Sequence, residues 1–146
     1  MTVYLGADHA GFELKEAIKT HLQNQGFEVE DVGALWYDGE DDYPDFIRPV
    51  AEAVALDPSG RGIVLGGSGQ GEAMTANRFR GVRAAVFYGG TEEIVKLSRE
   101  HNNANILSLG ARFLTEEEAI RAVTVWLQTS FEGGRHERRI NKIDDV

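Results

Sequence analysis

The chain has 146 residues, 24 acidic side chains against 15 Lys and Arg for a formal charge of −9, 42% hydrophobic and 27% charged residues, and no cysteine. That length suits one domain over residues 1–146 with a core of its own, the composition is that of an ordinary globular protein, and no stretch reaches the apolar length of a membrane span. The charge argues against a nucleic-acid backbone or an anionic membrane as partner, and the missing cysteines exclude disulfides, thiolate metal sites and a cysteine nucleophile or base.

Short β-rich runs alternate with amphipathic helical patterns along the chain. The N-terminus, MTVYLGADHAG, enters strand-like sequence at once without a basic and apolar leader, so a cytoplasmic address is expected. The first strand is predicted over 2–6 (TVYLG). Leu14, Ala17, Ile18, His21 and Leu22 then recur at the spacing of one helix face. FEVEDV at 27–32 reads as the second strand. Tyr43-Pro44 opens a second helix with a stripe of Phe46, Val50, Ala53 and Val54, proline suiting the first helical turn. GIVL at 62–65 is the third strand and leads into GGSGQGEAMTANRF at 66–79, a glycine loop running into a helix. RAAVF at 83–87 is the fourth. After Gly89-Gly90, with Thr91 as cap, Ile94, Leu97 and His101 begin another helix. NILSL at 105–109 is the fifth strand, and Thr115-Glu116-Glu117-Glu118 reads as a capping box ahead of Ala119, Ile120, Val123, Trp126 and Leu127. Five strands joined by helical crossovers predict a three-layer α/β/α domain, Rossmann-like or flavodoxin-like, around a parallel sheet. The tail from 131, FEGGRHERRINKIDDV, is too poor in apolar residues to be another core element and reads alone as a solvated C-terminal helix.

In such sheets ligands bind beyond the carboxyl ends of the strands. Asp8 and His9 follow the first strand, the glycine loop the third, and Arg112 the fifth. The loop is not a Walker loop, because Glu72 and Ala73 stand where lysine and Ser or Thr are needed. It is not a dinucleotide fingerprint, which needs glycine at 72, nor a nucleophile elbow, which needs glycine at Gln70. What remains is a turn whose N–H groups favour negative charge. Glu72 in the first helical turn either complements the helix dipole or acts as a general base beside an oxyanion hole. His21 lies on an apolar stripe and takes no role, and His101 ends a helix, where the dipole alone favours it. Asp8 and His9 form either an ordinary turn pair or a proton shuttle for ring opening. No cluster has metal-ligand spacing, and the acidic run 38–42 reads as a solvated loop.

GADHAGFELK near the N-terminus, DDYPDF at 41–46, GGSGQGEAMTANRF, REHNNAN at 99–105 and GGRHERRI at 133–140 resemble type B ribose-5-phosphate isomerases, in order and over nearly the whole chain. Allose- and galactose-6-phosphate isomerases belong to the same family. The resemblance implies an aldose–ketose isomerase interconverting ribose 5-phosphate and ribulose 5-phosphate through a cis-enediolate, without cofactor or metal. It also implies a homodimer, sometimes a tetramer, with active sites built from both subunits and the tail packed on the partner. Many members place a cysteine base at the position of Gly67; this chain resembles instead a subgroup, familiar from actinobacterial enzymes, with a glutamate base at Glu72. By position, Asp8 and His101 assist ring opening, with His101 and Asn102 supplied by the neighbouring subunit. Ser68, Gly69 and Gly71 hydrogen-bond the enediolate, and Gly67 supplies backbone only. His9, Arg112, Arg135 and Arg139 bind the phosphate, some of them in trans. An arginine cluster on an acidic protein suits bidentate phosphate capture. Two other readings stay open: another sugar phosphate as substrate, such as allose 6-phosphate or a tetrulose 4-phosphate, and a flavodoxin-like module that binds a phosphosugar or nucleotide without turning it over.

Overall fold

Each apolar run forms a strand within a residue or two of its expected limits. The computed structural model describes residues 1–146. Its strands are β1 (Thr2–Ala7), β2 (Glu28–Asp31), β3 (Arg61–Gly66), β4 (Ala84–Phe87) and β5 (Ile106–Gly110). They pair in parallel in the order β2-β1-β3-β5-β4, with Leu5 opposite Ile63 and Ile63 opposite Leu107 across the centre. The sheet therefore has its switch point between β1 and β3, where chain direction away from the first strand reverses. The last two strands are exchanged relative to the flavodoxin order. β5 is buried at every residue and takes the inner place, whereas β4 is half-exposed and takes the edge.

The helices are α1 (Phe12–Asn24), α2 (Pro44–Leu56), α3 (Gln70–Ala76), α4 (Glu93–Glu100), α5 (Glu116–Gln128) and α6 (Arg135–Asn141). Alternation along the strands sorts them into two layers. Val3, Leu5, Ile63, Leu65, Leu107 and Leu109 face α1, α4 and α5, whose Ile18, Leu22, Val95, Val123 and Trp126 complete the larger core. Val64 and Ile106 face the opposite way, onto Ile47, Val50, Ala51 and Val54 of α2 and Ala76 of α3. Pro44 occupies the first turn of α2, and at α5 the Thr115 hydroxyl accepts from the Glu118 N–H while the Glu118 carboxylate accepts from the Thr115 N–H. No helix is long and apolar enough to cross a membrane.

Two expectations need correction. In α4 the inward face carries Val95, Ser98 and Arg99, and Ile94 is 54% exposed, so the helix is rotated about one residue from the apolar stripe that was expected. The reason is Arg99, whose guanidinium reaches inward to the carbonyls of Thr129 and Ala104 and to the Asn103 side chain. The tail does form a helix, but it is anchored rather than merely solvated. Ile140 and His136 of α6 are buried, the Glu132 N–H donates to the Glu100 carbonyl at 3.0 Å, and Arg80 and the Gly81 N–H hold Asp144.

Candidate active site

At the switch point the ends of β1 and β3 release two turns that face each other. Asp8 caps the 3-10 turn over His9–Gly11 by accepting from the N–H groups of Ala10 and Gly11. After β3 the chain turns through Gly67 and Ser68 into Gly69, whose φ of 80° suits glycine and which caps α3. Three contacts fix this loop. The Ser108 hydroxyl of β5 donates to the Gly69 carbonyl at 2.6 Å, the Arg112 N–H donates to the Gly67 carbonyl at 3.1 Å, and the Ser68 hydroxyl accepts from the Gln70 N–H at 3.3 Å. Between the turns lies a cavity of about 440 Å³, with Asp8, His9, Gly67, Ser68, Gly71, Glu72 and Arg112 in its walls. Tyr43 and Phe113 close its sides.

Glu72 is 4% exposed, and no cation pairs with it. Its carboxylate lies against the α-carbon of Gly66, so close that a β-carbon there would stand 2.1 Å from it. Burial pushes the Glu72 carboxyl above the usual carboxylate range; its own N–H and that of Gly69 pull the other way, and the charge of Asp8 adds to the rise. A dry carboxylate with raised proton affinity, opening on a cavity walled in part by the glycine loop, is suited to exchanging a proton with a carbon acid. Gly67 has a second neighbour: a side chain at that position would meet the Arg112 guanidinium at 3.1 Å.

His9 and Arg112 make the cavity's basic corner. The acidic run 38–42 is not simply solvated, because the Asp41 carboxylate is only 7% exposed and its Oδ1 accepts from both the backbone N–H of His9, at 3.0 Å, and the His9 Nδ1, at 2.7 Å. The bond to Asp41 raises the His9 imidazole above its ordinary value; burial opposes the rise, Asp8 and the charge of Asp41 add to it, and Arg112 opposes it. Asp41 and Gly66 are thus parts of the site that residue-by-residue reading missed. The DDYPDF motif contained the first, but nothing local said which aspartate turns inward.

His101, Asn102, Arg135 and Arg139 lie outside this cavity. His101 caps the C-terminus of α4 and stacks on His136 of α6, ring centroids 4.2 Å apart and planes within 11°, with the Glu132 carboxylate 3.7 Å from its Nε2. Burial, reinforced by the neighbouring His101, lowers the His136 imidazole. Folding also gathers two three-donor sets that sequence spacing did not announce, Asp8 with His9 and Asp41, and His101 with Glu132 and His136, each with ligand atoms within 4.8 Å of one another. In the first, the His9 Nδ1 is already bonded to Asp41; in the second, face-to-face imidazoles do not direct both in-plane lone pairs at one ion.

The sequence model of the Ribose/Galactose Isomerase family matches residues 3–143. A ribose-5-phosphate isomerase B of Mycolicibacterium paratuberculosis is 46% identical over 142 residues, 97% of this chain and 88% of the relative. A probable ribose-5-phosphate isomerase B of Mycoplasma genitalium is 43% identical over 97% of this chain and 92% of its own. Among solved structures, the ribose-5-phosphate isomerase B of Mycoplasma genitalium with bound ribulose-5-phosphate superposes with a TM-score of 0.94 at 42% identity, covering 99% of this chain and 94% of that one. A ribose 5-phosphate isomerase of Thermotoga maritima gives 0.93 at 44% identity, covering 99% and 98%.

Proposed function

The chain belongs to the ribose/galactose isomerase family, and from that premise we propose that it interconverts D-ribose 5-phosphate and D-ribulose 5-phosphate with Glu72 as general base. The observation that carries this reading is the buried, unpaired Glu72 carboxylate on the wall of the cavity, beside the 67–71 loop. In the open-chain aldose the C2 proton is acidified by the C1 carbonyl. Glu72 takes that proton, the C2–H electron pair forms the C1–C2 double bond, and the carbonyl pair moves onto O1. N–H groups of the loop and the Ser68 hydroxyl receive the enediolate oxygens as charge develops. Collapse of the pair from O2 forms the ketone while Glu72 returns the proton to C1, and the hydroxyl proton passes from O2 to O1.

His9 and Arg112 bind the phosphate from this chain. His101 and Asn102, and with them Arg135 and Arg139, serve the site of a second copy, where His101 pairs with Asp8 across the interface for ring opening. Surface chemistry supports that assembly. Met74, Tyr88 and Phe113 are exposed, Met74 and Tyr88 line one groove with Val86 of the edge strand, and Phe113 stacks edge-on to Tyr88 while also walling the cavity. An apolar patch that runs from a sheet edge to the mouth of a site is suited to burial by a partner that also completes the site. The chain acts as one cytoplasmic isomerase domain and needs no cofactor or metal in this reading.

The test is isomerisation of ribose 5-phosphate by wild type and Glu72→Gln in chelator, with solvent deuterium incorporation at C2 followed by NMR. Wild type should show both turnover and exchange, and the variant neither, kcat falling by about 10²–10⁴-fold. Undiminished exchange in the variant would mean another base. The family's description also includes galactose isomerases, so relative kcat/KM across four-, five- and six-carbon sugar phosphates decides chain length; a preference of more than about tenfold for another length overturns the ribose assignment. Ligand binding without turnover of any of these would leave a binding module.

A further inference from the structure

The Asp41 carboxylate does not line the cavity, yet it is tied to a residue that does. Its Oδ1 takes the backbone N–H and the ring Nδ1 of His9 together, and its Oδ2 is buried without a hydrogen-bond partner. The aspartate therefore holds a nearly dry negative charge whose close counter-charge is the His9 ring. Three other groups neighbour that imidazole: Asp8, with an oxygen 4.0 Å from Nδ1, Arg112 from the turn after β5, and the Tyr37 ring, perpendicular to it with centroids 6.3 Å apart. A histidine whose Nδ1–H is given to a carboxylate has its ring orientation set and its Nε2 left for a ligand.

We infer that Asp41 is the positioning residue that keeps His9 a cationic phosphate ligand, its Nδ1–H bonded to Asp41 and its Nε2–H left for the substrate phosphate. The inference rests on the phosphate-binding reading of His9 given above. A neutral imidazole beside a dianionic phosphate and Arg112 would offer one donor of variable tautomer; the imidazolium offers a fixed one and a second positive charge. Because the bond to Asp41 holds His9 protonated to higher pH than a free histidine, the cation survives further up the pH scale and is lost as pH rises through the elevated value. Removing the carboxylate charge moves that loss to lower pH. The phosphate is equally bound in ground and transition states, so KM should respond and kcat should not.

The experiment compares wild type, Asp41→Asn and Asp41→Glu, each also in a His9→Gln background, by three readouts: kcat and KM from pH 6 to 9, inhibition by inorganic phosphate, and ring-nitrogen NMR titration of His9 in the substrate-free protein. Asn keeps an acceptor for both N–H groups and removes only the charge. The expected result is a His9 titration shifted to lower pH, with the rise in KM and in the phosphate inhibition constant moved to lower pH by the same interval and reaching about tenfold between the two titrations, kcat within about twofold, recovery in Asp41→Glu, and no effect of Asp41→Asn once His9 is Gln. An unmoved His9 titration, or an equal loss of affinity in the His9→Gln background, overturns the inference. If wild type fails to turn over ribose 5-phosphate, the functional reading falls, while NMR titrations of His9 and of inorganic phosphate binding still decide the role of Asp41. Wild type that binds no phosphate overturns both.

Discussion

Glu72 sits where two opposing requirements meet. The first turn of a helix favours a carboxylate, which alone would lower its proton affinity, but burial outweighs that and raises it. A base must be deprotonated to act, so kcat/KM should fall with decreasing pH through a Glu72 value above the usual carboxylate range, and the pH–rate profile of wild type measures it. The same sign governs stability: a carboxyl whose folded value is raised loses stability as pH rises through it, so Glu72→Gln should melt higher than wild type at neutral pH. Position is as demanding as charge. Gly66→Ala puts a methyl group on top of the Glu72 carboxylate and should swing the base from its place, with kcat down by about 10²-fold, the size of effect an ångström of misplacement produces. Retained kcat in Gly66→Ala would show that the carboxylate position seen here is not the reactive one. Glu72 and Ser68 were placed at the cavity because a glycine loop after a strand limits what can follow it, and Arg112 because it follows the carboxyl end of the last strand. Gly66 was not legible, because its significance is a side chain folding back from six residues on.

At the scale of elements, helix limits were readable from periodicity and caps, but inward faces were less so where a charged residue turns inward. Lys15 of α1 is fully buried, bonded to Asp31 at the end of β2 and to Glu16, and Lys19 shares the same aspartate. Burial pushes the Asp31 carboxyl up, yet hydrogen bonds from the two lysines and the Gly33 N–H bring it below its ordinary value. A lysine inside an apolar stripe reads from sequence as a solvent-facing residue; only pairing across two elements makes its burial tolerable. Arg99 is the same lesson, with a consequence for the proposed site. Burial lowers it to about 10, so it stays cationic at neutral pH, and its guanidinium ties the turn 101–104 to Thr129, where the chain leaves α5 toward α6. It thereby fixes the backbone that carries His101 and Asn102. Lysine cannot reproduce that fork of donors. Arg99→Lys should lower stability by about 2–3 kcal/mol through lost charged hydrogen bonds, read as a lower urea midpoint, and should depress turnover more than a distant substitution of equal cost. Equal activity at equal destabilisation would confine Arg99 to folding.

For the whole molecule, the parallel sheet followed from alternating element types, whereas the strand order did not, because only packing decides which strand is left at the edge. The separation of the proposed site residues has a similar origin. One chain gathers Asp8, His9, Ser68, Glu72 and Arg112 at the cavity and carries His101, Asn102, Arg135 and Arg139 elsewhere. If two copies meet across the patch from Met74 to Phe113 so that each supplies the second set to the other, subunits with complementary defects should rescue one another. Glu72→Gln and His101→Asn variants would each be impaired as homodimers. In a mixed dimer one site receives both defects and the other receives neither, since its Glu72 comes from one subunit and its His101 from the partner. Random reassortment of equal amounts makes half the dimers mixed, each with one intact site, so activity should recover to about a quarter of wild type. A site complete within one chain predicts no recovery, because every site would then carry one defect. Co-refolding the two variants and assaying against each alone separates the cases, and the recovered fraction should track the proportion of mixed dimers measured by native mass spectrometry.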